Sequence, residues 1–594
     1  MTQAPEFPGE AADTARASGA PPLGRVSRGL IRLSEGPRRL YQRIVAPRWR
    51  RLRRYIRTLS VAGMIVALVF FCFSMSASLL PRPWYLQGVA SGIAAVTGYA
   101  IGVIVAWILR KFGFRPLAHP HQRRVIVWVL RAGAMITIPL FGYLGADWQQ
   151  QVRQVTHAES NDPDFYALSL VIAFALARTV LALARLLRTA TRRMGRFGSR
   201  WVPAPVAKLL AAALVATIAV TAAADVLAPG LLTVTNAAFS VVDNGTAPGA
   251  LQPAAAERSG SPSSLVNWRD LGREGRSFIG AGPSAADITA FSGSPAMTPI
   301  RVYAGLKSAD GLRAEADLVV RELERTGAFD RAVLVVATTT GRGWVNEAAS
   351  SALEYLWNGD TAIAAMQYSF LPSPVAFLSD RSTPPKAGAL LFDAVHRAWA
   401  ARDPAHRPKL IVMGESLGSY GSQGAFGSLT DVVTETDGAV WTGTPNFTPL
   451  WTAVTADRDP GSPQQAPVID DCVTVCFVTK PSDLPAGAHP RVVYLQHVND
   501  PIVWWSPDLL LQRPPWLAEP ALPGRATAMT YIPLVTFWQV TADLVFSTGM
   551  RSGYGHTYTL DYADAFAAVV PPPGWTDADT ARLRTQLMGA SDGR

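Results

Sequence analysis

Cysteine and charge are the scarce commodities in this chain of 594 residues. Three cysteines are too few for a disulfide framework, and no Cys/His spacing suits a zinc site. Cys72 sits inside an apolar run and reads as a packing residue, whereas Cys472 and Cys476, in DCVTVC, are close enough to pair where the compartment is oxidising. Charged residues make up only 17% against 49% hydrophobic ones, a polarity low enough to place part of the chain in lipid. No internal repeat is visible. The length exceeds one domain at roughly 100 to 200 residues per domain, so at least two folding units are expected.

What charge there is lies unevenly. Of the net +11, thirteen arginines fall between Arg16 and Arg57, just ahead of the first long apolar stretch. Such clustering reads as membrane topology and not as nucleic-acid binding, because these residues flank apolar spans instead of patterning a folded surface. Residues 1–50 read as a disordered basic cytoplasmic tail. Five stretches follow that are long enough to span a bilayer: Thr58–Leu80, Tyr85–Leu109, Val125–Gly145, Phe165–Leu187 and Val206–Leu227. The loops at 110–124 and 188–200 are basic, and those alternating with them, PRPW and DWQQQVRQVTHAESNDPDF, are not. Positive charge accumulates on the cytoplasmic side, so the N-terminus is expected inside and everything after the fifth span outside. Arg131 and Arg178, within spans, are expected to face the bundle interior or to snorkel.

The transmembrane helical domain is assigned to residues 51–235 and a Gly/Ser/Pro/Ala-rich linker or docking segment to 236–297. Its insert SLVNWRDLGREGRSFIG is apolar enough to rest on something. From 298 to 575 short apolar runs alternate with amphipathic stretches, and residues 576–594 form a polar C-terminal tail. Strands are predicted at IRVYAG (300), AVLVVATT (332), AIAAMQYSF (362), LIVMG (410), GAVWTGTP (438) and VVYLQHV (492), with helices such as GLRAEADLVVRELERTG between them. The alternation implies a mostly parallel sheet with helices on both faces.

One motif carries chemistry. KLIVMGESLGSYG places Ser416 between Gly414, Glu415, Leu417 and Gly418, after a buried strand and before a helix start. G-x-S-x-G on a strand-to-helix turn exposes a serine hydroxyl, which needs a base held by a third group. Downstream of Ser416 only His489, His497 and His556 exist. His556 lies in the glycine-flanked SGYGHTY, where a base would return to the serine; His489 and His497 read as structural. Asp500, in HVNDPIVWW, follows a late strand and either orients His556 or merely caps its Asp-Pro turn. An oxyanion site needs two backbone donors: Leu417 supplies one, and Thr339, Thr340 and Gly341, in the loop after an early strand, are candidates for the other. Trp504, Trp505, Phe537 and Trp538 suggest a pocket for an acyl or lipid-like ester, although core packing explains such aromatics equally well. No cofactor and no metal is expected.

With GESLGSYG, HVNDPIVWW and GYGHTY in view, the sequence from about Arg50 to Trp575 resembles the actinobacterial integral-membrane α/β-hydrolase family. That resemblance implies a multi-span helical bundle of about five spans followed by an α/β-hydrolase domain with esterase-like chemistry. The partners expected are the lipid bilayer and an ester substrate. An acyltransferase using the same triad, and a non-catalytic scaffold or transporter with a binding-only outer domain, are the alternatives.

Overall fold

The structure, a computed structural model, describes residues 59–114, 120–158 and 166–592. The basic N-terminal tail lies outside the described residues. Among the described residues, six α-helices make up the N-terminal region: α1 (Val61–Ser74), α2 (Trp84–Lys111), α3 (Pro120–Val155), α4 (Tyr166–Gly198), α5 (Ala204–Thr221) and α6 (Ala228–Asn244). Among the described residues, α2, most of α3, most of α4 and α5 are long and apolar enough to cross a membrane.

The first predicted span behaves differently. α1 has 14 residues, about 21 Å at 1.5 Å per residue, against a hydrocarbon core of about 30 Å. It stops because Ser74 and Ser76 turn their hydroxyls onto the carbonyls of Phe71 (2.6 Å) and Phe73 (2.8 Å) and because Pro81 and Pro83 follow. Residues 75–80 are buried without being helical. The fifth span instead runs long: a π-helical turn, Ala222–Leu227, joins α5 to α6, and helix continues to Asn244. Arg131 is exposed on the flank of α3, 5.5 Å over the Trp128 ring, and Arg178 is exposed on α4, so neither points into the bundle interior.

After α6, residues 250–297 run back along the sheet. Arg258 bridges to Arg301 at the free edge of the first strand, and Phe278, Ile279 and Ile288 enter the core. The sheet has seven strands, β1 (Ile300–Ala304), β2 (Val333–Thr338), β3 (Thr361–Met366), β4 (Lys409–Glu415), β5 (Gly438–Thr442), β6 (Val475–Val478) and β7 (Val492–Leu495), all parallel in the order β1-β3-β2-β4-β5-β7-β6. Buried on both faces, the strands are near-continuous apolar runs, as parallel pairing requires. All six predicted strands form; β6, which contains Cys476 of the cysteine pair, is the addition.

The period of two sorts each strand between two cores. Val302, Leu334, Val336, Val412 and Trp441 pack on one face, with helices Leu312–Thr326 (α7) and Thr383–Ala400 (α9). Val333, Val335, Ile363, Ile411 and Val440 pack on the other, with Glu347–Leu356 (α8) and Asp561–Val569 (α12). Ala77, Leu79, Leu80 and Val152 from the helical region join the first core. Helix α11 (Val535–Asp543) makes most of that junction, lying against α1 and α2. The sheet domain thus sits at the end of the bundle formed by the start of α2 and the end of α3, opposite the basic loops.

Candidate active site

β4 ends at Glu415, and the chain turns through Ser416 into a short helix, α10 (Leu417–Gln423). Ser416 has φ 58° and ψ −123°, a conformation few side chains adopt, and its N–H donates to the Thr442 carbonyl of β5 at 2.8 Å. The turn closes only because its neighbours lack side chains. A Cβ on Gly414 would stand 2.4 Å from the Gly418 carbonyl oxygen, and one on Gly418 would stand 2.3 Å from that of Thr338.

His556 is buried and faces the same cleft. Its Nδ1 lies 2.6 Å from Asp500 Oδ2. Because a carboxylate accepts, the proton sits on Nδ1, and Nε2 keeps a free lone pair with no partner among the described residues. Gly443, at φ 55°, lets the ring approach; a Cβ there would meet His556 Cε1 at 2.3 Å. Asp500 makes both of the contacts weighed for it, the turn cap and the histidine. Oδ1 accepts from the Ile502 N–H (2.8 Å) and caps the short helix that follows, while Oδ2 takes the His556 ring and the Tyr558 hydroxyl (2.7 Å). The base loop is braced from behind: Asn499 Oδ1 accepts from the Gly555 N–H (2.9 Å), and His497 Nδ1 bonds the Gly555 carbonyl (2.8 Å) while its ring stacks on Tyr558. His489 bonds the Ala568 carbonyl instead.

The electrostatics follow from burial. Burial alone would lower the His556 pKa, but the Asp500 carboxylate, with Glu415 behind it, outweighs burial and raises it above the ordinary value. Burial pushes the Glu415 carboxyl up, against the opposing pull of His556, Tyr562 and Asn346. Glu415 is therefore more than a spacer in the turn: Oε2 accepts from Asn346 Nδ2 (2.6 Å) and from the Tyr562 hydroxyl, and the residue lines the cleft.

The donor loop after β2 lies beside the serine. The Thr340 N–H donates to the Trp344 carbonyl (3.0 Å) and the Gly341 N–H to Ser373 Oγ (3.1 Å), so a ligand oxygen reaching either must displace that acceptor. Thr339 is fully buried, its hydroxyl on the Met366 carbonyl. The Leu417 N–H, first in its helix, has no intrahelical acceptor.

Ser416, His556, Thr340, Glu415 and Tyr558 share a cleft of about 810 Å³. The tryptophans expected to line a pocket do not do so. Trp504 is fully buried between Trp451 and Trp516 with its N–H on the His497 carbonyl, Trp505 bonds Thr541, and Trp538 is half-buried against Phe537. The wall is built instead from Pro372, Pro374, Ile502, Leu544 and Val545. Tyr558, Gly443 and Asn499 escaped notice in the sequence. Tyr558 sits two residues after the base, the one local signal that could have pointed to it.

A strained, glycine-flanked serine turn after the central strand of an all-parallel sheet, with an aspartate-paired histidine in the same cleft, meets an independent match. A model of an alpha/beta-hydrolase family covers residues 300–583, and a model of that family's N-terminus covers residues 75–283. The chain belongs to this alpha/beta-hydrolase family. Neither a curated protein nor a solved structure matches it. Membership of the alpha/beta-hydrolase family implies a hydrolase. The N-terminal match runs through α2–α6 and on into the segment that docks against β1 of the hydrolase sheet.

Proposed function

We propose that this alpha/beta-hydrolase is a membrane-anchored serine esterase acting on an acyl or lipid-type ester at the outer face of the cytoplasmic membrane. The observation that carries the reading is His556, bonded through Nδ1 to Asp500 and with Nε2 free, in one cleft with the strained Ser416. Ser416 attacks the ester carbonyl as Nε2 takes its proton. The oxyanion is held by the Leu417 amide and one donor of the 339–341 loop. The imidazolium, held by Asp500, then protonates the departing alcohol, and water activated by the same nitrogen releases the acid.

The substrate class rests on the wall of the cleft that adjoins the helical region. Leu544 and Val545 form part of its wall, and the next residue, Phe546, meets Tyr85 at the start of α2 with ring centroids 6.0 Å apart. An amphiphile at the membrane surface would therefore have its ester close to Ser416. The outer-face placement is supported by the basic loops at the far end of the bundle and by the Cys472–Cys476 disulfide, which belongs in an oxidising compartment. A cleft of about 810 Å³ also has room for an acceptor alcohol, which keeps acyl transfer as the second reading; products formed with and without candidate acceptors separate the two.

The test is labelling of the full-length protein with a fluorophosphonate probe. Wild type labels, and Ser416→Ala and His556→Ala do not. Absence of wild-type labelling in a folded preparation defeats the catalytic reading and favours a binding-only outer domain.

A further inference from the structure

Helix α11 ends in Asp543, a fully buried carboxylate whose contacts belong to the membrane region. Oδ2 accepts from the Ser78 hydroxyl and from the backbone N–H of Leu79 (3.1 Å) and Leu80 (3.4 Å), and Oδ1 lies 3.4 Å from Arg82 Nε. One turn earlier, Gln539 Nε2 donates to the carbonyls of Ser76 (3.1 Å) and Ser74 (3.3 Å). The non-helical segment after α1 is thus stitched to α11. Four residues beyond Asp543, the Ser547 carbonyl accepts the His556 N–H at 2.7 Å, and Leu544, Val545 and Ser547 line the cleft between these points.

The opposite side of the cleft is tied down in the same way. Asp243, at the end of α6, accepts from Gln367 Nε2 (3.1 Å) and from the Arg273 N–H (3.1 Å). Gln367 Nε2 also donates to the Arg342 carbonyl (3.0 Å) in the loop that carries Thr339, Thr340 and Gly341. The Tyr303 hydroxyl donates to the next carbonyl, Gly343, at 2.7 Å.

We infer that the membrane bundle positions the reacting groups from two sides, Asp543 holding the base loop and Asp243 the oxyanion loop. This rests on the Ser416–His556 reading. A mere anchor would need neither contact, since a flexible tether would serve. Burial pushes the Asp543 carboxyl up to about 6 despite Arg82 and its hydrogen bonds, so the charged junction is costly where an apolar one of similar shape would be cheaper. Geometry offers a reason to keep it: misplacing a reacting group by about 1 Å can cost on the order of a hundredfold in rate.

The experiment uses full-length protein in lipid nanodiscs, with working sites counted by fluorophosphonate titration and turnover measured on a short-chain p-nitrophenyl ester. Asp543→Asn and Asp243→Asn should each lower kcat per titrated site by about tenfold or more, with KM changed by less than about twofold. Ser78→Ala, which removes one hydrogen bond from the Asp543 carboxylate, should lower it by about threefold and decides the matter if Asp543→Asn does not assemble. A variant set with fewer titratable sites but unchanged kcat per site means a structural role only and overturns the inference. Wild type that titrates beside variants that match it defeats the inference alone; wild type that does not titrate defeats the catalytic reading and this inference with it.

Discussion

Glu415 places a carboxylate in the wall of the cleft, on the same side of the imidazole balance as the buried Asp500. Both raise the His556 pKa, and the histidine must be neutral to accept the serine proton. The acid limb of kcat/KM should therefore lie above the ordinary histidine value of about 6.5. Glu415→Gln keeps an acceptor for Asn346 and Tyr562 while removing charge, so that limb should move to lower pH; an unmoved limb means Glu415 does not bear on the base. Asp500→Asn should cost about 10⁴ in kcat through the wrong tautomer, read as loss of turnover with KM nearly constant. Gly418→Ala drives a Cβ to 2.3 Å from a backbone carbonyl oxygen, and overpacking of this kind costs about 1–3 kcal/mol or more; a lowered Tm with weakened probe labelling is expected. That Asp500 pairs with His556 and that His556 shares a cleft with Ser416 was legible in the sequence, because chain order and a shortage of histidines left few choices. Gly443 was not, since it meets the His556 ring only across the fold, and Tyr558, though close to His556 in sequence, acts on Asp500, which only the folded chain brings near. Aromatic residues near the motifs misled for the same reason: sequence proximity does not say which face a Trp504 ring turns to.

Among elements, period and length made six of the seven strands and their intervening helices legible, down to the Ser416 turn between β4 and α10. β6, VCFV, was missed because its apolar run is only four residues long, whereas β7, equally short as a strand, stands in the longer apolar run VVYLQHV. α1 was overestimated because hydropathy sees TLSVAGMIVALVFFCFSMSASLL as continuous, whereas its serines and the prolines beyond it end the helix at Ser74. The fate of that remainder depends on a partner more than 460 residues away. The disulfide that ties Cys476 of β6 back to Cys472 closes a loop of only five residues, for which chain-entropy arguments give about 2 kcal/mol. Reduction by dithiothreitol should lower Tm by an amount Cys472→Ser reproduces; a Tm indifferent to both would mean the bridge contributes nothing to stability.

For the whole molecule, the proposed orientation predicts that protease added to intact spheroplasts removes the hydrolase domain, while inverted vesicles protect it; the reverse pattern would put the site in the cytoplasm. That orientation rests on loop charge, whereas nothing in the sequence marked the joint between the two regions, because it is assembled from Ser78, Arg82, Gln149 and Asp543, single residues that no motif connects. Residues 298–594 produced alone would bare the apolar floor that Ala77, Leu79, Leu80 and Val152 cover, so that fragment should aggregate where the full chain does not.

The carboxylate of residue 543 and the residues that receive it at 78 and 82 also set a rule of inheritance. A substitution on one side of that joint should be accommodated best when the other side changes with it. The two regions are therefore expected to descend as a pair, each lineage's membrane segment matched to its own catalytic half, and chimeras that exchange one half between distant lineages should fail unless the partner residues travel along.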